Sequence, residues 1–308
     1  MITVLMGTYN GEKYIEQQLD SLLGQTLLPD RILIRDDCSA DSTPQILSRY
    51  QSAHPGLIDV VVNEVNSGGS GFNFMSMMTT VRDDYLMLCD QDDVWLPDKV
   101  QLSYDTIRGM EAQWGTGVPC LMHSDLRVVD EDLTPTASSF QESTFANYDR
   151  TTLRDQLIQN TATGCTIMYN RALANLITRT PQHMVMHDWW ISLIAAAFGH
   201  MGHIDDCTIL YRQHRANQIG VTDMRTWRYK FARLFNPSQV KADIAKTYPQ
   251  AQEFLDFFAD RLAPAQITLL QDYCSIPAKS KLGRIASVIR WGFWKTGFSR
   301  NVAYLLFI

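Results

Sequence analysis

The chain of 308 residues has no pair of cysteines at the spacing of a zinc site or of a redox motif. Its six cysteines are scattered, as Cys38, Cys89, Cys120, Cys165, Cys207 and Cys274. Isolated cysteines without a histidine at ligand spacing are typical of reduced thiols. The sequence therefore predicts a cytoplasmic protein without disulfides and without structural zinc.

Glycine-rich phosphate-binding motifs are absent as well. A dinucleotide fingerprint, G-x-G-x-x-G, should follow the first predicted strand, but residues 7–11 read Gly-Thr-Tyr-Asn-Gly. The second glycine cluster, residues 68–71, lacks the third glycine in place, and no G-x-x-x-x-G-K-[ST] motif occurs. These loops argue against a dinucleotide-binding dehydrogenase and against a P-loop nucleotidase.

The chain also lacks an excess of positive charge and a long apolar run. Its net charge is −6, so nucleic acid is not an expected partner. No uncharged stretch reaches the roughly 18 apolar residues of a membrane span, and the N-terminus carries no basic leader of a secretory signal. With 45% hydrophobic and 19% charged residues, the composition is that of a globular protein.

What the sequence does contain is a regular alternation of strands and helices. Short apolar runs at residues 2–6, 31–35, 58–62 and 85–89 predict strands, and helical patterns lie between them. This alternation predicts a doubly wound, mostly parallel sheet, whose ligands bind at the carboxyl ends of the strands. Asp36, Asp37 and the acidic residues 90–93 follow two such strands, so we expect them to face one crevice.

The segment that follows the fourth strand reads Asp90-Gln91-Asp92-Asp93. Three carboxylates within four positions repel one another unless a positive charge lies among them. Mg²⁺ or Mn²⁺ holding a diphosphate suits such oxygen ligands. The alternative is a solvated acidic turn in which Asp93 caps the helix predicted near Pro97.

Five motifs together resemble a known family. Residues 8–11 (Thr-Tyr-Asn-Gly), 34–43 (Ile-Arg-Asp-Asp-Cys-Ser-Ala-Asp-Ser-Thr) and 90–95 (Asp-Gln-Asp-Asp-Val-Trp) resemble the successive signatures of family 2 inverting glycosyltransferases. Residues 187–190 (His-Asp-Trp-Trp) and 210–217 (Leu-Tyr-Arg-Gln-His-Arg-Ala-Asn) resemble later motifs of the bacterial rhamnosyltransferase-like branch. The resemblance covers residues 1 to about 220, with order and spacing kept.

The resemblance implies a GT-A fold, an α/β architecture with a Rossmann-like, mostly parallel central sheet flanked by helices. It implies a catalytic domain over residues 1–220, with a nucleotide-sugar half at about 1–95 and an acceptor half at about 96–220. Residues 221–308 are then a helical C-terminal extension. Residues 134–149 are rich in serine and threonine, and their hydrophobic residues show no regular spacing. We interpret this segment as an acceptor loop.

The family pattern also implies a set of donor-site residues. The nucleotide-sugar ligands are Thr8, Tyr9, Asp37, Gly68, Asn73, Asp90 and Gly164, and the metal ligands for Mg²⁺ or Mn²⁺ are Asp90, Asp92 and His214. Tyr9 would stack near the base, and Asp37 would accept the N3–H of a pyrimidine. The alternatives are that Asp37 caps the helix after it and that Arg212 contacts phosphate in place of a His214–metal bond.

Asp188 is the predicted general base, because inversion requires a carboxylate that takes the proton of the acceptor hydroxyl. The alternative is an N-terminal helix cap beside packed tryptophans. Trp189 and Trp190 are candidates for a sugar-stacking platform, with core packing as the default for tryptophan.

The resemblance implies transfer of L-rhamnose from dTDP-L-rhamnose to a bacterial surface polysaccharide such as O-antigen, on an acceptor linked to polyprenyl diphosphate. UDP-glucose or another UDP-hexose is the alternative donor. More distant alternatives are a sugar nucleotidyltransferase, which would usually carry a glycine-rich basic loop after the first strand, and a non-catalytic sugar-binding subunit. The sequence does not indicate which oligomeric state the protein has.

The C-terminal extension has its own composition. From Tyr273 to the end it contains six Lys or Arg and no Asp or Glu, mixed with Trp and Phe. This mixture predicts a peripheral contact with the inner face of the cell membrane. The open alternative is a helical extension that packs on the catalytic domain or on a second subunit.

Overall fold

The structure is a computed structural model that describes residues 1–214 and 237–308. By contact the chain divides into two compact units. The first, here called the sheet unit, comprises Met1–Phe140, Ala162–Thr180 and Gly199–Val221. The second, called the helical unit, comprises Gln141–Thr161, Pro181–Phe198 and Thr222–Ile308.

All nine strands of the described residues belong to the sheet unit and form one sheet. They are β1 (Ile2–Thr8), β2 (Arg31–Asp36), β3 (Ile58–Val62), β4 (Tyr85–Cys89), β5 (Val94–Trp95), β6 (Cys120–Val129), β7 (Pro135–Ala137), β8 (Met168–Asn170) and β9 (His200–Arg212). The spatial order is β3-β2-β1-β4-β8-β6-β9-β5, and β7 pairs with β6. β1 to β4 pair in parallel, as the alternating pattern predicted.

Beyond β4 the sheet becomes mixed. The short strand β8 runs antiparallel to both of its neighbours, β4 and β6, and β9 then runs parallel to β6. The carboxyl ends of β1, β2, β4 and β9 therefore lie at the same edge of the sheet. This edge is where an open α/β sheet binds its ligands.

The α-helices of the described residues, in chain order, are α1 (Ile15–Leu23), α2 (Thr43–Ala53), α3 (Ser70–Met78), α4 (Lys99–Trp114), α5 (Phe140–Thr144), α6 (Leu153–Ile158), α7 (Arg171–Ala174), α8 (His187–Phe198), α9 (Pro237–Ala245), α10 (Thr247–Phe257), α11 (Pro264–Ser275), α12 (Lys281–Trp291) and α13 (Phe298–Phe307). Helix α1 shows how the pattern works, because Ile15, Leu19 and Leu22 recur at helical spacing and are all buried. They join one hydrophobic core with alternate residues of β1 and β2.

The helical unit is built from α6, α8 and the helices after residue 237. Its largest buried side chains are aromatic: Trp190, Phe254, Phe258, Tyr273, Phe293 and Tyr304. Trp190 meets Phe254 and Phe257 edge to face, with ring centroids 5.5 and 5.8 Å apart. The Tyr273 hydroxyl donates to the carbonyl of Leu157 at 3.0 Å, which ties the C-terminal helices to α6.

By contact, Gln141–Thr161 and Pro181–Phe198 belong to the helical unit together with the C-terminal helices, and the catalytic-domain boundary near residue 220 stays a prediction. The interpreted acceptor loop contains the short strand β7 and the short helix α5. No helix in the described ranges is both long enough and apolar enough to cross a bilayer. The basic and aromatic residues 225–235 lie outside the described residues.

Candidate active site

The acidic residues 90–93 connect β4 to β5 at the carboxyl edge of the sheet. Asp90 and Asp92 are half-buried, and Asp93 is completely buried. Since β4 is buried along its whole length, its last residue delivers this acidic loop directly from the core to the crevice. The three carboxylates predicted to lie together therefore do so.

His214 lies directly beside the acidic loop. Its Nε2 is 2.8 Å from Oδ2 of Asp92, across 122 positions of sequence. Two ligand atoms of one octahedral Mg²⁺, each at about 2.1 Å from the ion, stand about 3 Å apart. The nitrogen and the oxygen are at hydrogen-bond distance, which is also close to the separation of adjacent ligands on a divalent cation. Two of the three predicted metal ligands therefore lie side by side.

Arg212 lies beside the Asp92–His214 pair and is bonded to the backbone of Asp92. Its Nε donates to the carbonyl of Asp92 at 2.8 Å and its Nη2 to Oε1 of Gln17 at 2.6 Å, while Nη1 bonds the carbonyl of Glu131. The side chain is only 2% exposed. Because the guanidinium is bonded inside the protein, Arg212 acts as a positioning residue for the acidic loop, and the alternative of an Arg212–phosphate contact has no support in this geometry.

Tyr14, just before α1, completes this arrangement. Its ring lies 4.8 Å from the His214 ring and 4.5 Å from Cζ of Arg212, measured between ring centroids and from centroid to atom. Contact of a guanidinium with an aromatic face is attractive and is strengthened by burial. Tyr14 therefore supports both the guanidinium of Arg212 and the imidazole of His214.

One alternative was that Asp93 caps the following helix, and the structure does not support it. The next long helix starts at Lys99 with Asp98 before it, whereas Oδ1 of Asp93 accepts the backbone N–H of Arg212 at 3.1 Å. Burial, followed by repulsion from Asp92 and Asp90, raises the pKa of Asp93 well above its usual value. Burial likewise raises the pKa of the neighbouring Cys165 thiol.

Asp90, Asp93 and Cys165 each offer one ligand atom, and these atoms lie within 4.8 Å of one another. Protonated groups are poor ligands, and the raised pKa values of Asp93 and Cys165 favour their protonated forms. The thiol is also a soft ligand that Mg²⁺ does not prefer. Asp90 and Asp93 are the oxygen ligands of this cluster, and Asp90 is also one of the predicted metal ligands.

The turn after β1 is fitted to the acidic loop through Gln91. Its Oε1 accepts the backbone N–H of Tyr9 at 2.8 Å, and its Nε2 donates to the carbonyl of Tyr9 at 2.9 Å. A Cβ on Gly11 would stand 2.4 Å from that same Oε1, so any other residue there would displace the Gln91 side chain from Tyr9. The Tyr9 side chain itself is 52% exposed at the crevice.

Asp37 is buried in a ring of donors. Its carboxylate accepts bonds from Nδ2 of Asn63 at 2.7 Å, from the backbone N–H of Ser67 at 2.7 Å and from the Ser67 hydroxyl at 2.8 Å. A carboxylate offers about four lone-pair sites, so one remains for a further donor. Asp37 does not cap α2, since these partners belong to the segment after β3.

The other residues predicted to bind the nucleotide sugar fall into two classes, buried side chains and glycines. Thr8 and Asn73 are buried: the Thr8 hydroxyl donates to Oδ1 of Asp36 at 2.8 Å, and Nδ2 of Asn73 donates to the carbonyl of Arg35 at 2.9 Å. Gly68 is exposed, with a positive φ of 91° that favours glycine. Gly164 opens a buried 3₁₀ turn, Gly164–Thr166, that carries Cys165 toward Asp93.

Asp188 belongs to the helical unit, in the first turn of α8. Its Oδ1 accepts the backbone N–H of Trp189 at 2.6 Å. Nε1 of Trp189 donates to the carbonyl of Gln156 at 2.6 Å, and Trp190 is completely buried among phenylalanines. Trp190 is therefore a core residue, and the interpretation of it as a sugar platform is wrong.

Sequence reasoning missed the residues that hold the site rather than form it, namely Tyr14, Asn63, Ser67 and Gln91. Only Gln91 lies within a recognisable motif, between Asp90 and Asp92. The others are separated from their partners by many positions, and a single polar residue in a loop carries no signal of a specific partner.

Residues 3–177 match the family profile described as Glycosyl transferase family 2, which is more than half of the chain. The chain belongs to that family. It is a glycosyltransferase, so the resemblance seen in the motifs is confirmed and the nucleotidyltransferase and non-catalytic alternatives are wrong.

Two curated relatives are similar over most of the chain. The dTDP-rhamnosyl transferase RfbG of Shigella flexneri is 27% identical over 253 residues, covering 78% of this chain and 82% of that protein. The putative teichuronic acid biosynthesis glycosyltransferase TuaG of Bacillus subtilis is 27% identical over 217 residues, covering 69% of this chain and 79% of that protein.

Two solved structures share the fold. TarS from S. aureus, in complex with UDP-GlcNAc, has a TM-score of 0.55 and 16% identity, covering 99% of this chain and 89% of that chain. The mannosyltransferase PcManGT from Pyrobaculum calidifontis, with GDP-Man and Mn²⁺, has a TM-score of 0.53 and 15% identity, covering 99% and 77%. These likenesses confirm the predicted α/β GT-A fold.

Proposed function

We propose that the protein is an inverting, metal-dependent rhamnosyltransferase that moves L-rhamnose from dTDP-L-rhamnose to a growing bacterial surface polysaccharide. The acceptor in this proposal is linked to polyprenyl diphosphate at the inner face of the cell membrane. The observation that carries it is the contact of Asp92 with His214 at the carboxyl edge of the sheet, in a family 2 chain. Similarity to RfbG, named a dTDP-rhamnosyl transferase, over 82% of its length supports the donor.

A UDP-hexose is the alternative donor. Uracil and thymine both present an N3–H donor, which cytosine lacks, and the lone-pair site left on Asp37 suits either base equally. Tyr9, exposed at the same crevice, would stack on the base. Thr8 and Asn73 would then act indirectly, by fixing Asp36 and the backbone of Arg35, while Gly68 and Gly164 allow close approach of the backbone.

Asp92 and His214, with Asp90 beside them, would hold Mg²⁺ or Mn²⁺, and the Mn²⁺ in the related PcManGT structure supports a divalent ion. Such an ion, when bound, offsets the charge that develops on a diphosphate leaving group. Arg212 contributes by fixing the backbone of Asp92, and Asp93 by holding the start of the segment that leads to His214.

Asp188 would be the general base. Its carboxylate takes the proton of the acceptor hydroxyl as that oxygen bonds to the anomeric carbon, while the bond to the diphosphate breaks on the opposite face and the configuration inverts. The bond from the N–H of Trp189 to Oδ1 fixes the carboxylate at the start of α8. A fixed base shortens the search for a productive geometry.

The experiment that tests this function is a panel of nucleotide sugars incubated with the protein and Mn²⁺ or Mg²⁺, with and without excess EDTA. We expect cleavage of dTDP-L-rhamnose above that of UDP-glucose, UDP-GlcNAc and GDP-mannose, and loss of cleavage in EDTA. Preference for a UDP-hexose would replace the donor but keep the mechanism. Cleavage of no sugar nucleotide by a folded protein that also fails to bind dTDP or UDP would contradict the proposal.

The membrane contact proposed for the C-terminal helices rests on their exposed face. Phe298, Val302 and Leu306 lie on one face of α13 at four-residue spacing, and Phe298 is 86% exposed. Leu282 is 80% exposed on α12. The Nζ of Lys281 donates to the carbonyls of Leu306 and Ile308 at 2.7 and 3.1 Å, which joins the two helices. An apolar face among six cations and no anions suits an anionic bilayer.

The opposite face of the same helices is packed inside the helical unit, where Phe293 and Tyr304 are buried. Deleting the helices would remove these buried rings from the core of the unit, so point variants are the better test. Leu282→Asp combined with Phe298→Asp should abolish sedimentation with acidic liposomes, with Val65→Asp as the control, because Val65 of the sheet unit is 78% exposed. High salt should weaken binding, since each cation near the surface contributes about 1 kcal/mol. Equal sedimentation of the double variant and the control would exclude the membrane contact.

A further inference from the structure

A cavity of about 410 Å³ lies on the sheet unit, beside β2 and the end of α3. Its lining includes Arg31, Leu33 and Arg35 of β2, Val61 of β3, and Arg82 and Asp83 after α3. The three residues of β2 share one face, because side chains alternate along a strand. The volume is that of a small-molecule site.

Arg31 and Arg35 are both held through Nε. Nε of Arg31 is 2.7 Å from Oδ2 of Asp59, and Nε of Arg35 is 2.6 Å from Oδ1 of Asn63. No described residue accepts a hydrogen bond from the Nη groups of either arginine. A guanidinium fixed at Nε still presents its two Nη groups, which match the two oxygens of a phosphate or carboxylate.

The charge around the cavity is positive. Arg82 donates only to backbone carbonyls, at Met78, Thr79, Val81 and Ile177, so its charge is not neutralised by a carboxylate. Three guanidinium groups thus stand against two carboxylates, those of Asp59 and Asp83, in a chain whose net charge is −6. Such a local excess of cations attracts anions.

We propose that this cavity is an anion site that binds the phosphate group of a small ligand through the Nη groups of Arg31 and Arg35. The apolar side chains Leu33 and Val61 leave room for an uncharged portion of that ligand. The site is distinct from the acidic loop, which repels phosphate unless a cation is bound.

The cavity is connected to the crevice by one side chain. Asn63 accepts from Nε of Arg35 with its Oδ1 and donates from its Nδ2 to Asp37, the predicted partner of the base. An anion that fixes Arg35 would therefore also restrict Asn63 and the orientation of Asp37. The inference does not depend on which nucleotide the crevice takes.

The test is a calorimetric titration of the full-length protein with inorganic phosphate, in EDTA and at constant ionic strength. EDTA removes any cation that could hold phosphate at the acidic loop. We expect one saturable site for phosphate. The double variant Arg31→Gln with Arg35→Gln should lower the affinity for phosphate about tenfold or more, because two guanidinium groups are lost. Arg49→Gln is the matched control, because Arg49 is an exposed arginine of the same unit that pairs with Glu16 instead.

A conservative variant guards against misfolding of the double variant. Arg35→Lys keeps the charge but lacks the paired Nη groups, so it should bind phosphate more weakly than the wild type while keeping the wild-type melting temperature. Absence of saturable binding to the wild type would overturn the site. So would equal binding by the wild type and both cavity variants, or an equal loss in Arg49→Gln.

Discussion

The two units of the molecule bury different kinds of side chain. In the sheet unit the crevice rests on buried polar and ionisable side chains, namely Asp36, Asp37, Asp93 and Arg212. In the helical unit the core consists of rings such as Trp190, Phe254 and Tyr273. A buried charge costs stability unless it is bonded, whereas a buried ring contributes through its area.

This difference in buried side chains suggests a different role for each unit in the proposed reaction. Named donors hold the acidic loop and the Asp37 ring, so each has one arrangement that a ligand can rely on. Among the described residues of the helical unit, the candidate catalytic group is Asp188, on a helix anchored by Trp190. The comparison predicts that donor binding depends on the sheet unit and that proton transfer depends on the helical unit.

The largest effect that sharpens this comparison is expected from Asp188→Asn. Turnover should fall about 10²–10⁴-fold, the usual worth of a general base, while affinity for the donor stays close to that of the wild type. Steady-state kinetics with the donor, together with calorimetry of dTDP, would separate the two. Asp260→Asn, an exposed carboxylate of the same unit, serves as the control. A greater loss of donor affinity than of turnover would assign Asp188 a structural role.

The next effect concerns stability. Trp190→Ala should lower the free energy of unfolding by about 3–5 kcal/mol, because a completely buried ring leaves a cavity among Phe254 and Phe257. Trp114→Ala is the control in the sheet unit, since its ring is 45% exposed. Denaturant unfolding measures both, and similar losses in the two variants would refute the contrast between the units.

For a change of one pH unit, the smallest effect is a dependence of stability on pH that both units share. Burial lowers the pKa of His123 in the sheet unit and of His187 in the helical unit to about 3, with a further lowering of His123 by His203. Both folded-state pKa values lie below 6.5, so the unfolded chain binds more protons in acid. Stability is then complete above pH 6.5, and about 1.4 kcal/mol per histidine is lost for each pH unit between 6.5 and 3.

Replacement of one histidine in each unit checks this expectation. His187→Gln and His123→Gln should each reduce the slope of unfolding free energy against pH in that window. His54→Gln, at a half-buried position just after α2, is the comparison variant for replacing a histidine outside the core. A wild-type stability that does not change from pH 7 to pH 4 would be inconsistent with neutral buried histidines.

The sequence predicted the first half of the sheet well. β3 and β4 have the predicted bounds, 58–62 and 85–89, because each is an apolar run closed by polar residues. The pairing of β8 between β4 and β6 was not predictable, since it depends on partners about 50 to 80 positions away in the chain. The grouping of Pro181–Phe198 with the C-terminal helices depends on aromatic contacts that no local pattern shows.

The sequence likewise predicted some features of the candidate site and not others. Asp92 and His214, two of the metal ligands implied by the motifs, lie in contact, and their binding of a metal stays a prediction. The role of Arg212 was not visible, since an arginine between polar neighbours looks like a surface residue, yet this one is buried under the loop. The donors around Asp37 come from a loop without any pattern, so only the fold brings them together.

The most direct test of a cation-dependent donor site on the sheet unit is the binding of dTDP in the presence of Mn²⁺. Calorimetry would compare the wild type, Asp92→Ala and Asp188→Asn, each also after treatment with EDTA. The wild type and Asp188→Asn should bind alike, and Asp92→Ala or EDTA should weaken binding about 100-fold or more. Wild-type affinity in Asp92→Ala, or undiminished turnover of the wild type in EDTA, would contradict the account.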